Sequence, residues 1–161
     1  MDAYREIEIK TAEKYGAVAK GTKKAIGDFL LGNNIQKPVN VKSNDLAKNN
    51  YSPNIISAKR LIKWLEIDKN ELYFIFVDYN KTDKGIEIVK DSGLVPVHQL
   101  NWDCLSIEAQ GWGVIQMPKK LSIDTTQTKE KFYKKFKIAY EIYMAKEKKK
   151  MVNIEEMIKD F

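Results

Sequence analysis

Asp28, Asn40 and Lys42 are the residues of this 161-residue chain whose types and spacing suit one definite chemistry. Alternate residues of an extended strand share a face. Asn40 and Lys42 of Val39-Asn40-Val41-Lys42-Ser43 therefore project together, with Val39 and Val41 opposite. A carboxylate, a second oxygen ligand and a lysine are what phosphodiester hydrolysis needs. The oxygens hold a hard cation such as Mg2+, and the ammonium offsets the negative charge that grows on the phosphate. Asp28 is otherwise a turn acid beside Gly27, but it adjoins Phe29-Leu30-Leu31, where a charge needs a partner. Lys42 is otherwise a surface lysine of an edge strand.

These side chains meet only if the elements around them fold accordingly. Ala25 to Leu31 reads as a strand ending at the Gly32-Asn33-Asn34 turn, with Pro38 to Ser43 as its antiparallel partner. The short connection brings Asp28 near Asn40. Upstream, Tyr4, Ile7, Thr11, Ala12 and Tyr15 recur at helical spacing and Gly16 stops the helix, leaving Glu6 and Glu13 on its other face. Asn44 to Ser52 reads as a loop. Pro53 suits a first helical turn with Ser52 as its cap, and Ile55, Ala58, Leu61, Ile62 and Leu65 carry that helix through Glu66. Glu71 to Tyr79 reads as a central strand, with Gly85 to Lys90 and Val95 to Leu100 as further strands. From Thr128 the chain is helical, with Phe132, Phe136, Ala139, Tyr140, Tyr143 and Met144 on one stripe of core or dimer type. A separate short helix is expected after Lys150.

Composition narrows the class. The length suits one domain over residues 1–161 with its own core. An apolar content of 43% with no long apolar run argues against a membrane span or cleavable signal and sets the expectation of a cytoplasmic protein. One cysteine, Cys104, and one histidine, His98, cannot build a zinc cluster. Residues 1–118 hold 16 basic against 15 acidic side chains, and residues 119–161 hold 12 against 7, so the positive excess sits in the C-terminal segment. Lys131, Lys134 and Lys135 are its candidates for phosphate contact; a solvated lysine face is the alternative.

Asp28, Asn40 and Lys42, with the run Pro53-Asn54-Ile55-Ile56-Ser57-Ala58 beyond them, resemble the PD-(D/E)xK nucleases, and within these the type II restriction endonucleases of the HincII-like, EcoRV-like and MutH-like group. Leu100-Asn101-Trp102 and Val114-Ile115-Gln116 fall where that group has a strand and a segment following its site, so the resemblance spans roughly residues 25–118. It implies an α/β fold with a mixed central β-sheet flanked by helices, here with a basic C-terminal helix.

It further implies Mg2+ held by Asp28 and Asn40, and site-specific hydrolysis of double-stranded DNA leaving 5′-phosphate ends. A homodimer follows from the twofold symmetry of a palindromic site. Asn40 stands where the family carries an acid, and an amide oxygen brings no charge to a cation. The change is engineered, or offset by another acid, or the mark of a silent site. Glu6 and Glu13 are the recruits the family pattern offers; Asp45 lies in the expected loop. Asn44, Ser52, Asn54 and Ser57 are the short polar residues expected at DNA, with Gln110, Trp112 and Gln116 as further candidates. A non-catalytic DNA-binding protein and a monomeric nicking repair endonuclease are the alternatives.

Overall fold

In a computed structural model the described residues are 2–19, 26–108 and 113–160. In chain order the regular elements are α1 (Ala3–Lys14), β1 (Phe29–Leu30), β2 (Pro38–Asp45), β3 (Asn54–Ser57) and α2 (Ala58–Leu65). There follow β4 (Tyr73–Thr82), β5 (Gly85–Asp91), β6 (Val95–Pro96), β7 (Ser106–Glu108), β8 (Val114–Gln116) and α3 (Lys129–Lys159). The chain is thus mixed α/β. It divides into two compact units, Met1–Tyr51 with Trp64–Val97 and Ser52–Lys63 with His98–Phe161. No helix among the described residues is long and apolar enough to cross a membrane.

The first unit is a five-stranded mixed sheet in the order β1-β2-β4-β5, with β6 also on β4. β2 and β4 run parallel from Val39 opposite Tyr73 to Asp45 opposite Tyr79, and the other pairings are antiparallel. A parallel pair needs a long crossover, and residues 46–72 supply it. The strand alternation buries Val39, Val41, Ile75, Val77 and Tyr79 on one face, where Ile7 and Ala12 of α1 and Phe29 complete a core. Asp2 caps α1 by accepting from the Arg5 amide at 2.8 Å, and Gly16 beyond its end takes a left-handed φ of 68°.

The second unit holds a three-stranded antiparallel sheet, β3-β8-β7, and α3. Thr128 caps α3 through the Lys131 amide. Phe132 and Phe136 pack against Trp102, both with ring centroids 5.4 Å away, and the Trp102 indole donates to the Phe132 carbonyl.

Several expectations need correction. The strand expected over Ala25 to Leu31 is only Phe29–Leu30, and Ala25 lies outside the described residues. Its start is interrupted because the Val41 amide bonds to the Asp28 carboxylate instead of a backbone carbonyl. Asn44 and Asp45 are not loop residues but the end of β2, with Asp45 buried. The helix does not begin at Pro53: Asn54–Ser57 is strand β3, since Ile55 and Ile56 are β-branched and buried and find partners on β8. The Pro53 carbonyl accepts from Met117. Ser57, not Ser52, caps α2, its hydroxyl accepting from the Arg60 amide.

β6 is shorter than expected because Pro96 has no amide for the ladder, and the chain turns into a 3-10 helix at Val97–Gln99. Leu100 makes one isolated bridge to Ile123, and Trp102–Cys104 is a 3-10 turn rather than strand. No separate helix follows Lys150. With neither Gly nor Pro from Lys129 to Lys159, α3 is continuous for 31 residues.

Candidate active site

The hairpin β1–β2 places Asp28. Phe29 pairs with Val39, so the register one step earlier sets Asp28 level with Asn40. Its amide donates to the Val39 carbonyl at 2.8 Å, and its Oδ2 accepts from the Val41 amide at 2.6 Å. Gly27 makes this closeness possible. A Cβ there would stand 2.8 Å from Pro38 Cβ and 2.9 Å from the Val39 backbone nitrogen and oxygen, contacts no other residue type tolerates.

α1 brings a second carboxylate, and it is neither Glu6 nor Glu13. Glu6 pairs with Lys10 at 3.1 Å, and Glu13 is exposed. Glu8 is the acid that reaches Asp28. At 100° per residue, Glu8 falls between Ile7, Thr11 and Ala12, all buried, whereas Glu6 and Glu13 face away. An acid on the apolar side of a helix was the signal for it in the sequence. Arg5, one turn earlier, holds Glu8 through Nη1 at 3.3 Å.

The electrostatics bind four side chains into one cluster. Burial pushes the Asp28 carboxyl above its ordinary range, against the opposing pull of the Val41 amide, Lys42, Arg5 and a hydrogen bond with Glu8. Burial and then the Asp28 charge raise Glu8, while Arg5 lowers it. Burial depresses Lys42, against the pull of Asp28 and Glu8. Asn40 is half-buried on β2, two residues before Lys42 on the same face. Among the described residues, no group of three or more His, Cys, Asp or Glu side chains is arranged to hold a metal ion. The carboxylates brought within reach of one another are two, Asp28 and Glu8.

The remaining candidates lie elsewhere. Asn44 on β2 donates to Asp78 Oδ1 at 3.1 Å. Asp45, at the end of β2, has Lys81 at 3.8 Å. Ser52, Asn54 and Ser57 belong to the second unit. There Ser52 is exposed, Asn54 Oδ1 accepts from Gln116 Nε2 at 2.6 Å, and Ser57 caps α2. Lys134 pairs with Glu130 at 3.2 Å, and the charges of Lys131 and Lys135 act on Asp124, whose carboxyl is held low first by Thr126. Gln110 and Trp112 lie outside the described residues. Cys104 is buried with its thiol donating to the Asn101 carbonyl, a structural role.

No family model matches the chain, and no curated protein matches it in sequence.

Proposed function

We propose that the chain is a Mg2+-dependent type II restriction endonuclease of the PD-(D/E)xK kind, with a restriction-endonuclease-like fold. It acts on double-stranded DNA as a homodimer and leaves 5′-phosphate and 3′-hydroxyl ends. The observation that carries this reading is the meeting of Glu8 on α1, Asp28 just before β1 and Lys42 on β2, two acids and a lysine drawn together despite partial burial. A cluster whose charges are perturbed in this way is costly to fold and is the expected mark of a functional site.

The residues fit a divalent cation. Asp28 and Glu8 offer hard carboxylate oxygens within reach of each other's charge, and Asn40, level with Asp28 across the hairpin, would lend an amide oxygen. When bound, Mg2+ supplies the positive charge that acidifies water and offsets charge on the scissile phosphate. Asp28 is fixed for the task by the Val41 amide, and Arg5 orients Glu8. Lys42, depressed by burial, sets its ammonium where charge develops on the phosphate and exchanges its proton more readily than a surface lysine.

One observation favours a second reading. With an amide at position 40, the cluster has two carboxylates where an acid would have made three, which suits a DNA-binding protein that no longer cuts. Incubation of supercoiled plasmid with the protein and Mg2+ distinguishes the readings. Discrete linear fragments support the restriction endonuclease, open circles a nicking enzyme, and a salt-sensitive gel shift without scission the binding protein.

A further inference from the structure

The distal half of α3 carries an apolar seam that nothing described covers. Met144, Met151, Ile154 and Ile158 are 50%, 63%, 55% and 61% exposed, and every residue from Met144 to Lys159 except Glu147 is exposed. The proximal half is different: Phe132, Phe136 and Tyr143 are buried. A helical stretch held only by its own backbone is marginal in water. A row of exposed apolar side chains on it marks a contact surface.

The spacing and the charges select the occupant. Met144, Met151 and Ile158 recur every seven residues, and Glu147 and Ile154 follow three residues behind, which is the a/d seam of a two-heptad coiled coil. Residues 144–151 carry four lysines against one glutamate, and residues 152–160 carry two glutamates and an aspartate against one lysine. Side-by-side parallel pairing sets like blocks together and Glu147 against its own copy in the seam. Antiparallel pairing sets the basic block of each helix along the acidic block of the other.

We infer that the distal half of α3 pairs antiparallel with the same segment of a second copy of this chain, about a twofold axis near Val152–Asn153. In that register Met151 of each copy meets Ile154 of the other, Ile158 meets Glu147, and the aliphatic stem of Lys150 lies along Met157. Lys148 and Glu155 share the flanking position beside the seam, where antiparallel helices oppose a position to itself. Each Lys148 therefore faces Glu155 of the second copy, twice by symmetry. The contact is short, roughly 1,000 Å² in total and at the lower limit for a specific interface, so the pair forms at high protein concentration and dissociates on dilution. This gives a physical site to the homodimer of the preceding reading, but its test uses no DNA and is independent of cleavage.

Sedimentation of the full chain in low salt at about 100 µM is the test. The expected result is a dimer that falls to monomer on dilution. Lys148→Glu and Glu155→Lys should each shift the protein to monomer at that concentration, and the double variant should recover the dimer. The recovery distinguishes the orientation, because in a parallel pair Glu155→Lys would face Lys150 and the double variant would stay monomeric. Met151→Ser with Ile154→Ser should also give monomer, with circular dichroism recording how much of the distal helix persists. A monomer at every concentration, a dimer that ignores all these changes, or a double variant that fails to recover would each overturn the inference. So would lysines 146, 148, 149 and 150 proving to bind DNA in a chain that never pairs.

Discussion

The Val41 amide donates to Asp28 Oδ2 at 2.6 Å, so a half-buried carboxylate takes the place of a backbone carbonyl in the ladder between two strands. That bond fixes the acid to the strand carrying Asn40 and Lys42. It also leaves the carboxylate facing Glu8, with its charged form disfavoured by burial.

The first prediction concerns stability and pH. Asp28 and Glu8 both have folded pKa values raised above their unfolded ones. Their contribution is therefore complete below the unfolded range, near pH 4, and is lost as pH climbs through the raised values. Above the raised values the ionised carboxylates weigh against the fold. Asp28→Asn keeps an acceptor for the Val41 amide and removes that penalty, so it should melt a few degrees higher than the parent at pH 7, as should Glu8→Gln. The gap should narrow as pH falls towards 4. Thermal melts across that range decide it; lower melting for both variants at pH 7 contradicts the electrostatic account.

Cation binding should separate the three helical glutamates. Mg2+ at about ten times its Kd adds roughly 1.4 kcal/mol to the stability of a protein that binds it only when folded. The parent should show this rise in melting temperature. Glu8→Gln and Asp28→Asn should lose it, while Glu6→Gln and Glu13→Gln should keep it, because Glu6 is paired with Lys10 and Glu13 is exposed. Loss confined to Glu6→Gln or Glu13→Gln would move the cation elsewhere.

Gly27 is the hinge of the arrangement. Gly27→Ala places a methyl against Pro38 Cβ and the Val39 backbone at under 3 Å, which should cost about 1–3 kcal/mol as overpacking and push Asp28 away from β2. Far-UV circular dichroism should remain near that of the parent, with the Mg2+-dependent rise abolished. A variant as stable and as responsive as the parent would mean that the close approach is dispensable.

Lys131, Lys134 and Lys135 are tested by salt. If they meet phosphates, changing all three to Gln should weaken binding to every DNA sequence and flatten the dependence on salt by about one unit of slope per contact. An unchanged slope returns them to local partners: Glu130 for Lys134 and Asp124 for Lys131 and Lys135.

The sequence shows the Asp28 hairpin plainly because its information is local. A short turn, an alternating Val39–Val41 face and one register are enough to set Asp28 beside Asn40. Glu8 was harder to see, since a single acid in a weakly amphipathic helix resembles Glu6 and Glu13 until the buried set Ile7, Thr11 and Ala12 fixes which face is which. β3 was hidden for another reason. Ile55 and Ile56 fit helical spacing as well as a strand, and the choice rests on pairing with Ile115, almost sixty residues later, which local propensity does not contain.

The central claim is that Glu8, Asp28 and Lys42 together hydrolyse phosphodiesters, and the most direct measurement is the rate of scission of supercoiled plasmid in Mg2+ or Mn2+ by the parent, Asn40→Asp and Lys42→Ala proteins. The account predicts cutting by the parent and faster cutting by Asn40→Asp, since a third negative charge strengthens the cation site. Lys42→Ala should lose scission but bind DNA within a small factor of the parent, because its role is in the transition state. If parent and Asn40→Asp both bind DNA and neither cuts any sequence with either metal, or if Lys42→Ala cuts as well as the parent, the nuclease account is contradicted.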